Sequence, residues 1–246
     1  MKNVRVFLFG LLLVAASMGP ALAGVVLGPS PYLCFDTATA PAGCGGADSP
    51  FKSIVFSSYF YLETFEDHLL NVPGVSASAG GVTSVVFGPS IHDSVDADDG
   101  VIDGSGLRGD DYFSSSAAAG ITFTFNGGAL GGLPTSVGIV WTDGGGNATV
   151  TFQARDAANN LLCSISSPLG NSSSNNGETD EDRFFGCVDS GGIASIFISD
   201  SGGGGIEVDH LQYGRTAPIT GAPEPASFAL LGIGLVGLWF ARRSRA

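Results

Sequence analysis

An antiparallel all-β fold, a β-sandwich of jelly-roll type, is what three features of the sequence predict. The first is alternation: Ile121-Thr122-Phe123-Thr124-Phe125 switches between apolar and polar, and Ala148 to Ala154 sets Val150, Phe152 and Ala154 against Thr149, Thr151 and Gln153. Period two with one polar face marks antiparallel strands laid over a core. The second is turn chemistry, since Asn126-Gly127-Gly128, Asp143-Gly144-Gly145-Gly146 and Ser201 to Gly205 supply the positive φ that hairpins and corners require. The third is the lack of a convincing amphipathic helix between residues 24 and 213, apart from a turn near Glu66 to Leu70.

The elements follow in order. Lys2 and Arg5, the apolar stretch Val6 to Ala16 and the small-residue site Ala21-Leu22-Ala23 make residues 1–23 a secretory signal peptide cut before Gly24. An exported domain is expected over 24–213, with nine strands. These are Ser53 to Phe65, Val82 to Phe87, Ile121 to Phe125, Val137 to Trp141, Ala148 to Ala154, Leu161 to Ser166, Arg183 to Val188, Ile193 to Ser199 and Ile206 to Tyr213. No repeat of 20 to 50 residues argues for a solenoid or propeller. Residues 214–222 read as a linker.

All but one of the chain's 23 acidic residues fall between Gly24 and Gly221, against five of its ten basic ones: Lys52, Arg108, Arg155, Arg183 and Arg215. No basic stripe is available to neutralise phosphates, so nucleic acid is excluded as a partner. Four cysteines in an oxidising compartment point to disulfides. Three connectivities are open, and local pairing is expected, Cys34 with Cys44 and Cys163 with Cys187.

The carboxyl end has three parts in order. Pro223-Glu224-Pro225 leads into the apolar segment 226–241, and Arg242, Arg243 and Arg245 follow. As a helix, that segment would span only about 24 Å, short of the roughly 30 Å hydrocarbon core, so it crosses a bilayer only marginally. The arginines set its carboxyl end on the cytoplasmic side. This tail, residues 223–246, resembles the PEP-CTERM sorting signal. The resemblance implies export, a transient stay in the inner membrane and processing by an exosortase-type membrane protease. It also implies delivery to the cell surface or the extracellular matrix in bacteria that make exopolysaccharide. Gly138 to Gly144 and Glu181 to Gly186 are weakly similar to segments of other cargo of this signal.

Two acidic segments bear on metal. Glu63, Glu66 and Asp67 near the start and Glu207 and Asp209 near the end resemble the paired first and last strands of galactose-binding-like and carbohydrate-binding jelly rolls, whose acids hold a structural calcium. The resemblance implies Glu66, Asp67 and Asp209 as ligands; the alternative is the solvent face of edge strands. The group Asp93, Asp96, Asp98, Asp99 and Asp103, continuing to Asp110 and Asp111, has the wrong register for a helix-loop-helix calcium loop and reads as a solvated loop, with an irregular calcium site as the alternative. Glu178 to Asp182 reads as a solvated turn. Trp141 is expected in the core, with a sugar-stacking platform as the alternative.

No nucleophile elbow, zinc-protease or phosphate-loop motif occurs, and His68, His92 and His210 have no partner at ligand spacing. The expectation is a non-catalytic structural or carbohydrate-binding domain associated with exopolysaccharide. The alternative is a secreted polysaccharide hydrolase using a carboxylate pair.

Overall fold

In the computed structural model, residues 24–33, 35, 47–83, 93–98, 106–108, 110–144, 147–169 and 182–216 are described. Their strands are β1 (Val25–Pro31), β2 (Tyr59–Glu63), β3 (Val75–Ala77), β4 (Gly81–Val82), β5 (Asp93–Asp98), β6 (Gly106–Arg108), β7 (Tyr112–Ser114), β8 (Ile121–Phe125), β9 (Ser136–Gly144), β10 (Ala148–Arg155), β11 (Leu161–Leu169), β12 (Arg183–Val188), β13 (Ser195–Asp200) and β14 (Ile206–Arg215). They form two antiparallel sheets and a ribbon. The first sheet runs β1-β12-β9-β14-β7-β4 with β2 also on β14, the second runs β11-β10-β13-β8-β3, and β5 pairs with β6.

The alternating segments behave as their pattern dictates. On β8, Ile121, Phe123 and Phe125 turn inward, and on β10 Ala148, Val150, Phe152 and Ala154 do the same. All of these but Ala148 meet Val137, Ile139, Trp141, Phe185, Val208 and Leu211 of the first sheet in one core. Each fully buried Phe or Ile contributes about 1.5 to 3 kcal/mol by leaving water. Trp141 is wholly buried in this core, as expected, and is closed to any sugar. A disulfide between Cys163 of β11 and Cys187 of β12 joins the two sheets. Cys34 and Cys44 lie outside the described residues.

The first sheet is covered on its other side too. Tyr32, Phe51, Val95, Val140 and Phe184 form a second apolar cluster there, with Phe35, Phe56 and Phe60 packed on it. Burial on both faces explains why β9 is buried at every position and β14 at all but its last. Bulges adjust the register: Thr142 is an extra residue of β9 between the Trp141 and Asp143 pairings, and β14 carries an extra residue between Asp209 and Gln212. His210 sits there at φ 44°.

Several expectations need correction. The Asp93 loop contains a strand, β5, which pairs with β6 and whose Val95 amide donates to the buried Asp209 carboxylate at 2.9 Å. Asp110, Asp111 and Asp182 are buried, not solvated. Asn126-Gly127-Gly128 is no hairpin turn: the Asn126 side chain accepts from the Gly128 and Ala129 amides and caps a helical turn, Gly127–Leu130, that ends on left-handed Gly131. The strand expected from Val82 is only Gly81–Val82 as far as described, and β2 is shorter than Ser53 to Phe65. A 3-10 turn at Pro50–Ser53 ends where that expected range begins, and 54–58 are irregular.

Candidate functional site

The outer face of the second sheet is built by the outward halves of its alternating strands. Register sets Ser164, Gln153, Phe197 and Thr122 side by side across β11, β10, β13 and β8. Flanking rows hold Ser166, Thr151 and Ser199, and Arg155, Ser195, Thr124 and Ser76. All are half-buried or exposed. Thr151 and Ser166 hydroxyls meet at 2.9 Å, and Arg155 donates to Gln153 Oε1 at 3.0 Å and to the Asn159 carbonyl at 3.1 Å. The result is one aromatic ring in a field of hydroxyl, amide and guanidinium groups. Gly120, at φ 68°, lets the Phe197 ring lie against the backbone, since a Cβ there would come 2.6 Å from the ring. The sequence showed the polar face of β10; that Phe197 joins it depends on the β10–β13 pairing, which no local pattern reveals.

Polar groups of a different kind fill the covered face of the first sheet. The Tyr32 hydroxyl accepts from Gln212 Nε2 at 2.9 Å and lies 2.8 Å from His210 Nδ1, while Ser49 Oγ donates to Gln212 Oε1 at 2.5 Å. Asp209 accepts from the Val95 and His210 amides at 2.9 and 2.6 Å. Glu207 stands opposite Asp143 of β9 and next to Asp111. The Asp111 carboxyl is wholly buried, and among the described residues neither oxygen meets a donor in hydrogen-bonding geometry. Burial first, and then the charge of Glu207, hold its pKa well above the usual carboxylate range; the Thr83 hydroxyl opposes this and Asp209 adds to it. In the core, burial also raises Asp200, against the Gly202 amide and the Trp141 indole beside it.

Of the residues considered for calcium, Asp67 is exposed and accepts from the Leu69 amide at 3.1 Å and from the Asn71 side chain at 2.5 Å. Glu66, also exposed, accepts from the Asp110 amide at 2.7 Å. Asp209 lies buried on β14, a central strand rather than an edge. Among the described residues, no group of three or more His, Cys, Asp or Glu side chains is arranged to hold a metal ion. Nearby, Glu63 caps the same loop by accepting from the Phe65, Asn71 and Val72 amides at 3.2, 2.9 and 3.1 Å.

Pro223, Glu224, Pro225, Arg242, Arg243 and Arg245, with segments 1–23 and 226–241, lie outside the described residues. No helix among the described residues is long and apolar enough to cross a membrane.

Comparison with known proteins gives the following. No curated protein matches the sequence. Among solved structures, the chain is similar to the C-terminal family 22 carbohydrate-binding module of Clostridium thermocellum Xyn10B, at 11% identity and a TM-score of 0.36, covering 66% of this chain and 97% of that one. The CBM22-1 xylan-binding domain of Paenibacillus barcinonensis Xyn10C gives 11% and 0.36, with 66% and 99% covered. The enzymatically active domain of tailspike protein 4 from bacteriophage CBA120 gives 14% and 0.30, with 62% and 20% covered. These are distant similarities. Residues 222–246, by contrast, match the PEP-CTERM protein-sorting motif directly. The chain thus carries a PEP-CTERM protein-sorting motif at its carboxyl end, behind a domain of two antiparallel sheets.

Proposed function

We propose that this protein is exported by a cleaved signal peptide, residues 1–23. Its tail then enters the inner membrane through 226–241 with the amino terminus out, and an exosortase-type protease acts near Pro223-Glu224-Pro225. The delivered jelly-roll domain is a non-catalytic binding or structural component of the cell surface or matrix, and its ligand is exopolysaccharide. The observation that carries this reading is Phe197 between Gln153 and Thr122. A pyranose ring offers an apolar C–H face and a rim of hydroxyls. An aromatic ring ringed by Ser, Thr, Gln and Arg matches both.

The hydrolase reading has less support. The carboxyls held close together, Asp111 and Glu207, are 0% and 4% exposed and closed to a polymer chain. A structural calcium at Glu66, Asp67 and Asp209 is kept as a subsidiary proposal, tested by a rise in melting temperature with added calcium.

A glycan array with residues 24–221 separates the readings. Retention without turnover supports the binding domain. Release of reducing ends supports the hydrolase, and neither outcome leaves a purely structural role.

A further inference from the structure

We propose that one end of the sandwich is a bilayer-facing surface during sorting, so that the domain stands on the membrane in a fixed orientation. This rests on the reading that the tail enters the inner membrane.

Strand register defines the end. Val25 pairs with Val188, Val188 with Ser136, Ser136 with Gly214, and Arg215 with Tyr59. The start of β1 and the end of β14 therefore emerge together. The second sheet joins them there, since Leu161 pairs with Arg155, Arg155 with Ser195, and the Gly24 amide donates to the Leu162 carbonyl at 3.1 Å. Both termini of the exported domain leave from this end.

The exposed surface is uneven along the same axis. Among the described residues, five large apolar side chains are exposed: Val25 at 60%, Val26 at 36%, Val55 at 84%, Leu69 at 55% and Leu161 at 50%. Val25, Val26 and Leu161 belong to this end, and Val55 lies in the segment entering β2 there, where the Ser58 amide donates to the Arg215 carbonyl at 3.2 Å. Arg155 and Arg215 stand at the same end, with Asp156 and Asp189. Toward the opposite end Glu66 and Asp67 are exposed acids, Glu66 accepting from the Asp110 amide at 2.7 Å. Anionic headgroups repel exposed carboxylates there and tolerate the nearly neutral near end.

Chain length does the rest. Nine residues lie between Thr216 and Ala226, so the ten Cα–Cα steps reach at most about 35 Å. The nine steps along β14 span roughly 30 Å. An inverted domain would need almost the whole tether merely to run back along its own flank. Upright, the tether leaves the apolar rim of Val25, Val26, Val55 and Leu161 within reach of the headgroups at high effective concentration. The sheets then stand on end, and the Phe197 face looks sideways, away from the lipid.

The test uses the full chain in vesicles of phosphatidylethanolamine and phosphatidylglycerol, with a thiol-reactive fluorophore on Ala157→Cys, at the near end, or Ser115→Cys, at the far end. Both positions are exposed. Headgroup-borne quencher should quench the Ala157 label several-fold more than the Ser115 label, and Val25→Ser with Val55→Ser and Leu161→Ser should narrow that gap. Equal quenching, or stronger quenching at Ser115, overturns the orientation. Shielding at Ala157 that grows with protein density but not with lipid quencher shows a second copy there and overturns it as well. A chain that fails to float with the vesicles overturns the membrane reading itself, which is a distinguishable failure.

Discussion

Tyr32 holds His210 across 178 positions of sequence, by a hydrogen bond of 2.8 Å between its hydroxyl and Nδ1. His210 sits at φ 44°, a backbone state that costs a non-glycine residue about 1 to 2 kcal/mol. The phenol therefore fastens the bulge of β14 to the layer that covers it.

Tyr32→Phe keeps the ring that stacks on Phe184 at 6.0 Å and removes only the oxygen. His210 Nδ1 and one proton of Gln212 Nε2 then lose a partner inside the protein, at about 1 to 3 kcal/mol. Urea unfolding should show a lower midpoint at unchanged slope. An unshifted midpoint means that water already reaches the site.

Asp111 gives a pH dependence whose sign is fixed by its raised pKa. Below about pH 4 the carboxyl is neutral in both folded and unfolded chains. As pH rises the unfolded chain releases the proton first, so this contribution to stability is lost progressively until the folded-state pKa is passed. Asp111→Asn keeps the shape without the charge. It should raise the melting temperature near pH 7, with the gap over wild type closing toward pH 4. A variant less stable than wild type at neutral pH would mean that the buried charge is compensated.

The disulfide between Cys163 and Cys187 closes a separation of 24 residues, for which loop entropy gives about 3 to 4 kcal/mol. The double change to Ala should lower stability by that order in chemical denaturation, while retention on glycan by the folded fraction stays unchanged. Loss of binding at full folding would put the bridge in the binding face instead.

How far the sequence could be read follows from which contacts were local. β8 and β10 were legible because each lies over one core and shows the alternation that this imposes. β14 was found, but its Glu207 and Asp209 read as calcium-holding acids or as the solvent face of an edge strand. Asp209 and its neighbour Gln212 are instead covered by Tyr32, Ser49 and Val95, residues more than a hundred positions away. The two-residue β4 and the Asp-rich β5 carry no periodic signal, and β7 is only three residues long. The sorting tail was legible in full, because its message is composition in order and needs no partner. The polar face proposed to bind was half legible: the alternation of β10 showed Thr151 and Gln153 on one face, and Phe197 joins them only through the pairing of β10 with β13.

Processing is checked by intact mass of the exported protein from hosts with and without the exosortase-type protease. The amino terminus should be Gly24 in both, with the mass beyond the Pro223-Glu224-Pro225 region lost only when the protease is present. A tail retained in both hosts makes this an ordinary anchored domain.

The account stands most directly on retention of the exported protein by the exopolysaccharide of the cells that make it, wild type against Phe197→Ala. The wild type should stay with the polymer through washing, and the variant should elute while still unfolding cooperatively, because Phe197 lies on the outer face and removing it opens no cavity in the core between the sheets. Equal retention of the two, or of neither, contradicts the assignment of that face.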